Sequence, residues 1–139
     1  MNLEKATAEV EKGFSAVKLA LGTDPAPFFR FPYFKDPKNI VEYLGTRNIA
    51  IFSHDLDSYD FKMQKPEEVV NSVMTKLDRK GKGIVLMHDF QQATAKALPT
   101  ILDELTARGF KVAHMVSKSP ARTIAKYDAS VTEEARQKQ

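Results

Sequence analysis

The chain has 139 residues, 42% of them hydrophobic, enough for one domain with a real core. Its 21 basic side chains are scattered among 18 acidic ones for a net charge of +3, with no basic block interleaved with aromatics, which argues against a nucleic-acid surface. The absence of cysteine excludes disulfides and thiolate metal sites, and no apolar run approaches the ~20 residues of a membrane span.

The chain opens on Met1-Asn2-Leu3-Glu4-Lys5, which is charged and lacks the apolar region of a secretory signal. Residues 2–21 read as an amphipathic helix. Leu3, Ala6, Val10, Val17 and Leu21 form its apolar stripe, with Glu4, Glu9 and Glu11 on a solvated face. Gly22 stops it, and Asp24-Pro25-Ala26-Pro27 forbids continuation. A short buried strand follows around Phe28–Phe31. Pro37 opens a brief helix carrying Ile40, Val41 and Leu44, with Gly45 as its terminator. Asn48–Ser53 is an apolar run of strand length. Pro66 starts a helix with the stripe Val69, Val70, Val73 and Leu77, and Gly81 and Gly83 follow it. Gly83–Met87 is the clearest strand. A helix from about Thr94 to Arg108 carries Ala97, Leu98, Ile101, Leu102 and Leu105; Pro99 belongs in or near its first turn or bends it, and Gly109 ends it. Lys111–Val116 reads as a last strand. The tail from Ser117 is polar, with a frayed helix near Val131–Gln137.

Alternating helices and strands predict an α/β fold with βαβ units, about four mostly parallel strands, and helices over both faces. No internal repeat or low-complexity segment interrupts the pattern.

The ionisable residues of interest fall just after strands. In α/β barrels and open parallel sheets, ligands and catalytic groups gather at the carboxyl ends of strands. Arg30, Asp57, Asp60, His88 and Asp89 are therefore expected on one rim. Arg30 stands out, set among the aromatics of Phe29-Arg30-Phe31-Pro32-Tyr33-Phe34.

Three segments carry a resemblance. Arg30-Phe31-Pro32-Tyr33, Asp57-Ser58-Tyr59-Asp60-Phe61 and Leu86-Met87-His88 resemble the third, fourth and fifth motifs of the polysaccharide deacetylases of the NodB-homology, carbohydrate esterase family 4 type. They occur in the family's order, and the resemblance covers about Leu3 to Val116. The resemblance implies part of a distorted (β/α) barrel over residues 1–116, with 117–139 as a tail. It also implies a metal-dependent hydrolase acting on N-acetylated glycans or related amides. His88 would be the general acid that protonates the departing amine, and Asp60 would pair with it and favour its protonated form. Arg30 would orient a catalytic carboxylate. The Tyr33 backbone N–H would help hold the oxyanion, and Leu86 and Phe61 would line the pocket for the acetyl methyl. Asp57 and Asp89 are candidates for supporting carboxylates behind these groups, although aspartates so placed are more often turn or helix-cap residues.

The chemistry explains these residue types. Amide cleavage asks for an activated water, donors aimed at the oxyanion, and an acid for the leaving nitrogen. The family's first two motifs, of Thr-Phe-Asp-Asp and His-x-x-x-His type, supply the base and the ligands of a divalent metal, zinc or similar. Neither occurs here, and no histidine precedes Arg30. The resemblance is thus to the carboxyl-terminal half of the barrel, the metal-binding half being expected in a preceding portion of a longer protein. Relatives often work outside the cytoplasm.

Plainer readings stand beside each of these. Arg30 could serve a buried aspartate, and His88 could be a core histidine at a strand end. His54 and Asp55, with Asp57, could form a substitute metal site, but strand alternation puts His54 and Asp55 on opposite faces. His114 reads as a structural residue of the last strand, and Phe28, Phe29, Phe34 and Phe52 as core. Phe61 stands where the family has tryptophan, keeping an apolar wall without the indole N–H. A catalytically inactive paralogue acting as a binding or assembly module is the alternative function, since open sheet edges invite self-association or docking of an amino-terminal half.

Overall fold

The structure, a computed structural model, describes residues 2–137. It is mixed α/β, with short parallel strands among helices. Two compact units are present: one takes in the chain up to Phe52 and again from Met115, the other is Ser53–His114.

In the first unit, the Asn2 side chain accepts a hydrogen bond from the Lys5 N–H and caps α1, Leu3–Leu21. Gly22, at φ 74°, ends it through the left-handed conformation that glycine adopts freely. The buried face is only partly the expected one: Ala6 and Val10 of the stripe pack against the core, but the buried residues are Glu11, Phe14 and Ser15, while Leu3, Val17 and Leu21 are exposed. Glu11 is thus a correction to the solvated face. The Arg47 guanidinium donates to both its oxygens at 2.8 and 3.1 Å, and the Tyr43 hydroxyl donates at 2.7 Å, so its burial leaves no carboxylate oxygen unpaired. This carboxylate and its own burial push the Tyr43 hydroxyl up to about 12, burial being the larger cause.

β1, Phe28–Phe29, pairs in parallel with β2, Ala50–Ile51. Between them, α2, Lys38–Thr46, buries Ile40 and Leu44. Gly45 lies inside α2 rather than ending it, and the reversal is made by Asn48 at φ 53°, a conformation asparagine tolerates. The core of this unit is Phe14, Phe31, Ile40, Leu44, Ile49 and Ala121. The last helix, α5, is Ala125–Arg136, longer and earlier than the frayed turn expected at 131–137, and it packs on α1. Ala121 N–H bonds the Pro25 carbonyl, and Lys18 reaches Thr123 and Asp128.

In the second unit, β3, Leu56–Asp57, pairs in parallel with β4, Val85–Leu86. β3 has no apolar run of its own to announce it, and Asp57, expected just after a strand, is its last residue. α3, Pro66–Lys80, has proline in its first turn with Glu67 and Glu68, and Arg79 and Lys80 in its last, in accord with its dipole. α4, Gln92–Ala107, packs on α3. Pro99 falls beyond its first turn, inside the helix. Leu56, Val69, Val73, Met74, Leu77, Ala93, Ala97 and Ile101 are the core. At Gly83, φ is 148° and a Cβ would stand 2.7 Å from that of Asp55, so only glycine lets the chain enter β4 beside this aspartate.

The strand expected at Lys111–Val116 does not form. Residues 111–116 are all exposed and pair with no strand among the described residues. Strand propensity needs a ladder partner and an apolar surface to become structure. His114 accordingly sits in irregular chain, not in a strand. No described helix is long and apolar enough to cross a membrane.

Candidate active site

The second unit ties His88 and Asp60 together. Asp57 initiates the arrangement: its Oδ1 accepts the Tyr59 N–H at 2.8 Å, turning the chain immediately after β3. Tyr59 follows at φ 57°, and Asp60–Lys62 form a single 3₁₀ turn. Buried Ser58 accepts the Asp60 N–H on its hydroxyl, while its carbonyl accepts from Ser72 of α3 at 2.7 Å. A left-handed tyrosine costs about 1–3 kcal/mol. The same strain recurs in the first unit, where Tyr33 and Phe34 have φ 54° and 53°.

Asp60 is fully buried. One oxygen, Oδ1, meets His88 Nδ1 at 2.7 Å. The other, Oδ2, accepts the His88 backbone N–H and the Thr94 hydroxyl, both at 2.6 Å. Burial pushes the carboxyl up, but the hydrogen bonds from Thr94 and from the ring and backbone of His88, with the attraction of the imidazole, outweigh it and hold Asp60 below the usual carboxylate range. His88 lies two residues beyond the end of β4 and its side chain remains partly open to solvent. A ring whose Nδ1 is held by a buried carboxylate can exchange a proton only through Nε2. Thr94 was expected only as the start of a helix. The signal was there: a hydroxyl residue in the first turn of a helix that begins four residues after His88.

The remaining candidates are placed as follows. Phe61 packs edge-on to the His88 ring, centroids 5.9 Å apart. Leu86 is half-buried on β4, and its carbonyl accepts the Ser58 N–H. Asp57 serves the turn just described, and Asp89 is exposed. Arg30 and Tyr33 belong to the first unit. Both are exposed, and the Arg30 guanidinium lies over the Phe34 ring, 5.2 Å from its centroid. Phe31, not Arg30, is the buried member of that motif.

A divalent metal does not fit these residues. Among the described residues no three histidine, aspartate or glutamate side chains gather as ligands. The aspartates nearest to such a role are occupied: Asp55 accepts from the Ile84 N–H and Lys80, Asp57 from the Tyr59 N–H, and Asp60 holds His88.

No family model matches the chain. Solved structures do. The peptidoglycan deacetylase Bd3279 of Bdellovibrio bacteriovorus superposes with a TM-score of 0.79 at 35% identity, over 86% of this chain and 35% of that one. A family 4 carbohydrate esterase from Streptomyces lividans, solved with acetate, superposes at 0.70 with 25% identity, over 88% of this chain and 62% of that one. The peptidoglycan deacetylase PdaC of Bacillus subtilis superposes at 0.68 over 99% of this chain and 60% of that one; its 18% identity speaks for the fold alone. The chain thus spans between 35% and 62% of the length of these structures.

Proposed function

We propose that this chain, matched in structure to part of the peptidoglycan and carbohydrate deacetylases, supplies the proton-donating portion of a hydrolase that cleaves the amide C–N bond of N-acetylated sugars or related amides. The accompanying fold reading is part of a (β/α) barrel over residues 1–116. One observation carries the function: His88 Nδ1 lies 2.7 Å from a fully buried Asp60 that Thr94 also holds.

When the amide C–N bond breaks, the departing nitrogen must take a proton. His88 in its doubly protonated form gives the Nε2 proton and becomes a neutral imidazole whose Nδ1–H still donates to Asp60. The charge that Asp60 carries stabilises the imidazolium before the transfer and fixes the tautomer after it. By resemblance, Phe61 and Leu86 receive the acetyl methyl, the Tyr33 N–H serves the oxyanion, and Arg30 orients a catalytic carboxylate. The described residues lack the donors for a divalent metal, so no step here is assigned to one.

The test is turnover on an N-acetylglucosamine oligomer. With added zinc or cobalt the chain alone should remain at background. Activity reconstituted by adding a polypeptide with Phe-Asp-Asp and His-x-x-x-His segments should fall about 10²–10⁴-fold in His88→Ala. Reconstituted turnover indifferent to His88→Ala would overturn the acid assignment. Robust turnover by the isolated chain would overturn the view that it lacks the nucleophile-generating site. Nitrogen NMR adds a readout free of turnover: neutral His88 should carry its proton on Nδ1 and lose that preference in Asp60→Leu.

A second reading, an assembly module without its own catalysis, is favoured by one feature. A groove of about 810 Å³ runs through the first unit between α1 and the segment around β1, lined by Val10, Phe14, Val17, Phe28, Phe29 and Ile40 among others.

A further inference from the structure

Exposed aromatic rings are concentrated around His88. Phe90 packs against the imidazole with centroids 5.6 Å apart and an interplanar angle of 64°, and is itself 76% exposed. Phe61 contacts the same imidazole, is 49% exposed, and in turn contacts Tyr59, 46% exposed, at 6.2 Å. Single exposed hydrophobic side chains are ordinary, but a connected series beside a proton-transfer pair calls for a ligand. Neither the acid role of His88 nor the acetyl pocket uses Phe90.

We propose that Phe90 is a substrate-binding residue: its ring receives the C–H face of a pyranose adjacent to the one whose amide nitrogen lies at His88, which makes the ligand an N-acetylated oligosaccharide rather than a single sugar. This rests on the deacetylase reading above and deepens it. Aromatic faces carry a negative quadrupole, and the C–H bonds on the flat side of a pyranose present a weakly positive surface to them. The same faces already attract cations here: Lys62 Nζ lies 5.2 Å from the Tyr59 centroid and 5.4 Å from that of Phe61. Phe90 is largely exposed, and its face is open to a neutral ring. The imidazole sits in contact with a phenyl from each of two segments, Phe61 from the 3₁₀ turn after β3 and Phe90 from the loop after β4. A sugar positioned by Phe61 and His88 therefore has a neighbour's seat at Phe90.

Binding of N-acetylglucosamine tetramer and of the monomer to the whole chain can be followed by saturation-transfer NMR and by shifts of the phenylalanine ring carbons. The tetramer should perturb Phe90, Phe61 and His88 together and bind more tightly than the monomer. Phe90→Ala should weaken the tetramer several-fold to about tenfold, leave the monomer unchanged, and leave the fold intact because the ring is exposed. Phe90→Tyr, which keeps an aromatic face, should restore binding. Tetramer affinity unaffected by Phe90→Ala, or equal to that of the monomer, would overturn the proposal while leaving the deacetylase reading standing. Failure of any sugar to perturb His88 would bring down both. Phe90 resonances that move with protein concentration instead of sugar would also overturn it, and would assign the ring to contact between copies of the chain.

Discussion

Asp60 shows how a single side chain acquires its function from its surroundings. Water does not reach it, and three donors hold its two oxygens. Thr94→Val keeps the shape but removes one donor, and should cost about 1–3 kcal/mol in urea unfolding, the range for a buried acceptor losing a partner. The acid dependence follows from sign. The native carboxyl lies below its ordinary value despite burial, because the hydrogen bonds outweigh it. The unfolded chain, with an aspartate near ~3.9, binds the proton more readily. The stabilisation is therefore fully present above the unfolded value and is lost as pH falls through it toward the lower native one. Asp55, lowered chiefly by the Ile84 N–H and then by Lys80, acts in the same window. Urea stability should thus decline from about pH 5 downward. Thr94→Val, by weakening one of the causes, should make that decline shallower; an unchanged slope would remove Asp60 from the account. At this scale the sequence reading was correct in joining Asp60 to His88 across 28 positions, but it did so by resemblance. Nothing local to either residue announces the pairing, and Thr94 passed as a helix start.

Among the elements, the helices were the legible part. Gly22, Pro66, Gly81 and Gly109 act through the backbone of their own segment, so their effect on helix ends can be read without knowing the fold. The buried face of a helix is another matter. Of the apolar stripe, Ala6 and Val10 pack against the core while Leu3, Val17 and Leu21 stay exposed, and α1 buries Glu11 because Arg47 and Tyr43 of the α2 region meet it there. Arg47 also donates to the Arg122 carbonyl at 2.7 Å, joining three separated stretches of one unit. Arg47→Met should therefore destabilise by about 3–5 kcal/mol, since it leaves a buried carboxylate unpaired. Adding Glu11→Met should recover much of the loss. Chemical denaturation of both variants checks this, and an Arg47→Met cost under 1 kcal/mol (about the worth of a surface pair) would show that Glu11 is solvated after all. Strands were poorly legible for the same reason. The runs 48–53 and 83–87 contain β2 and β4, but 111–116 has comparable composition and no partner, while β3 hides in a polar stretch and exists because Val85 and Leu86 lie beside it.

For the whole molecule, the matched structures extend well beyond the part this chain covers. Each sheet among the described residues has two strands, so each strand has a neighbour on one side only. Unpaired strand edges and an apolar groove favour pairing with another chain, and a net charge of +3 opposes it weakly. Light scattering over rising concentration should show self-association, or association with an added metal-binding portion of a deacetylase; a strict monomer indifferent to that partner would exclude the assembly reading. By itself the sequence determined the chemistry available: which acids, imidazoles and aromatics exist, where helices start and stop, and that three short motifs occur in a family's order. The tertiary structure alone decided which carboxylate is buried against which donor, which face of α1 turns inward, and which apolar runs become strands. Composition and periodicity act along the chain over a few residues, whereas burial, ladder pairing and the balance between desolvation and hydrogen bonding depend on groups that only folding brings within reach.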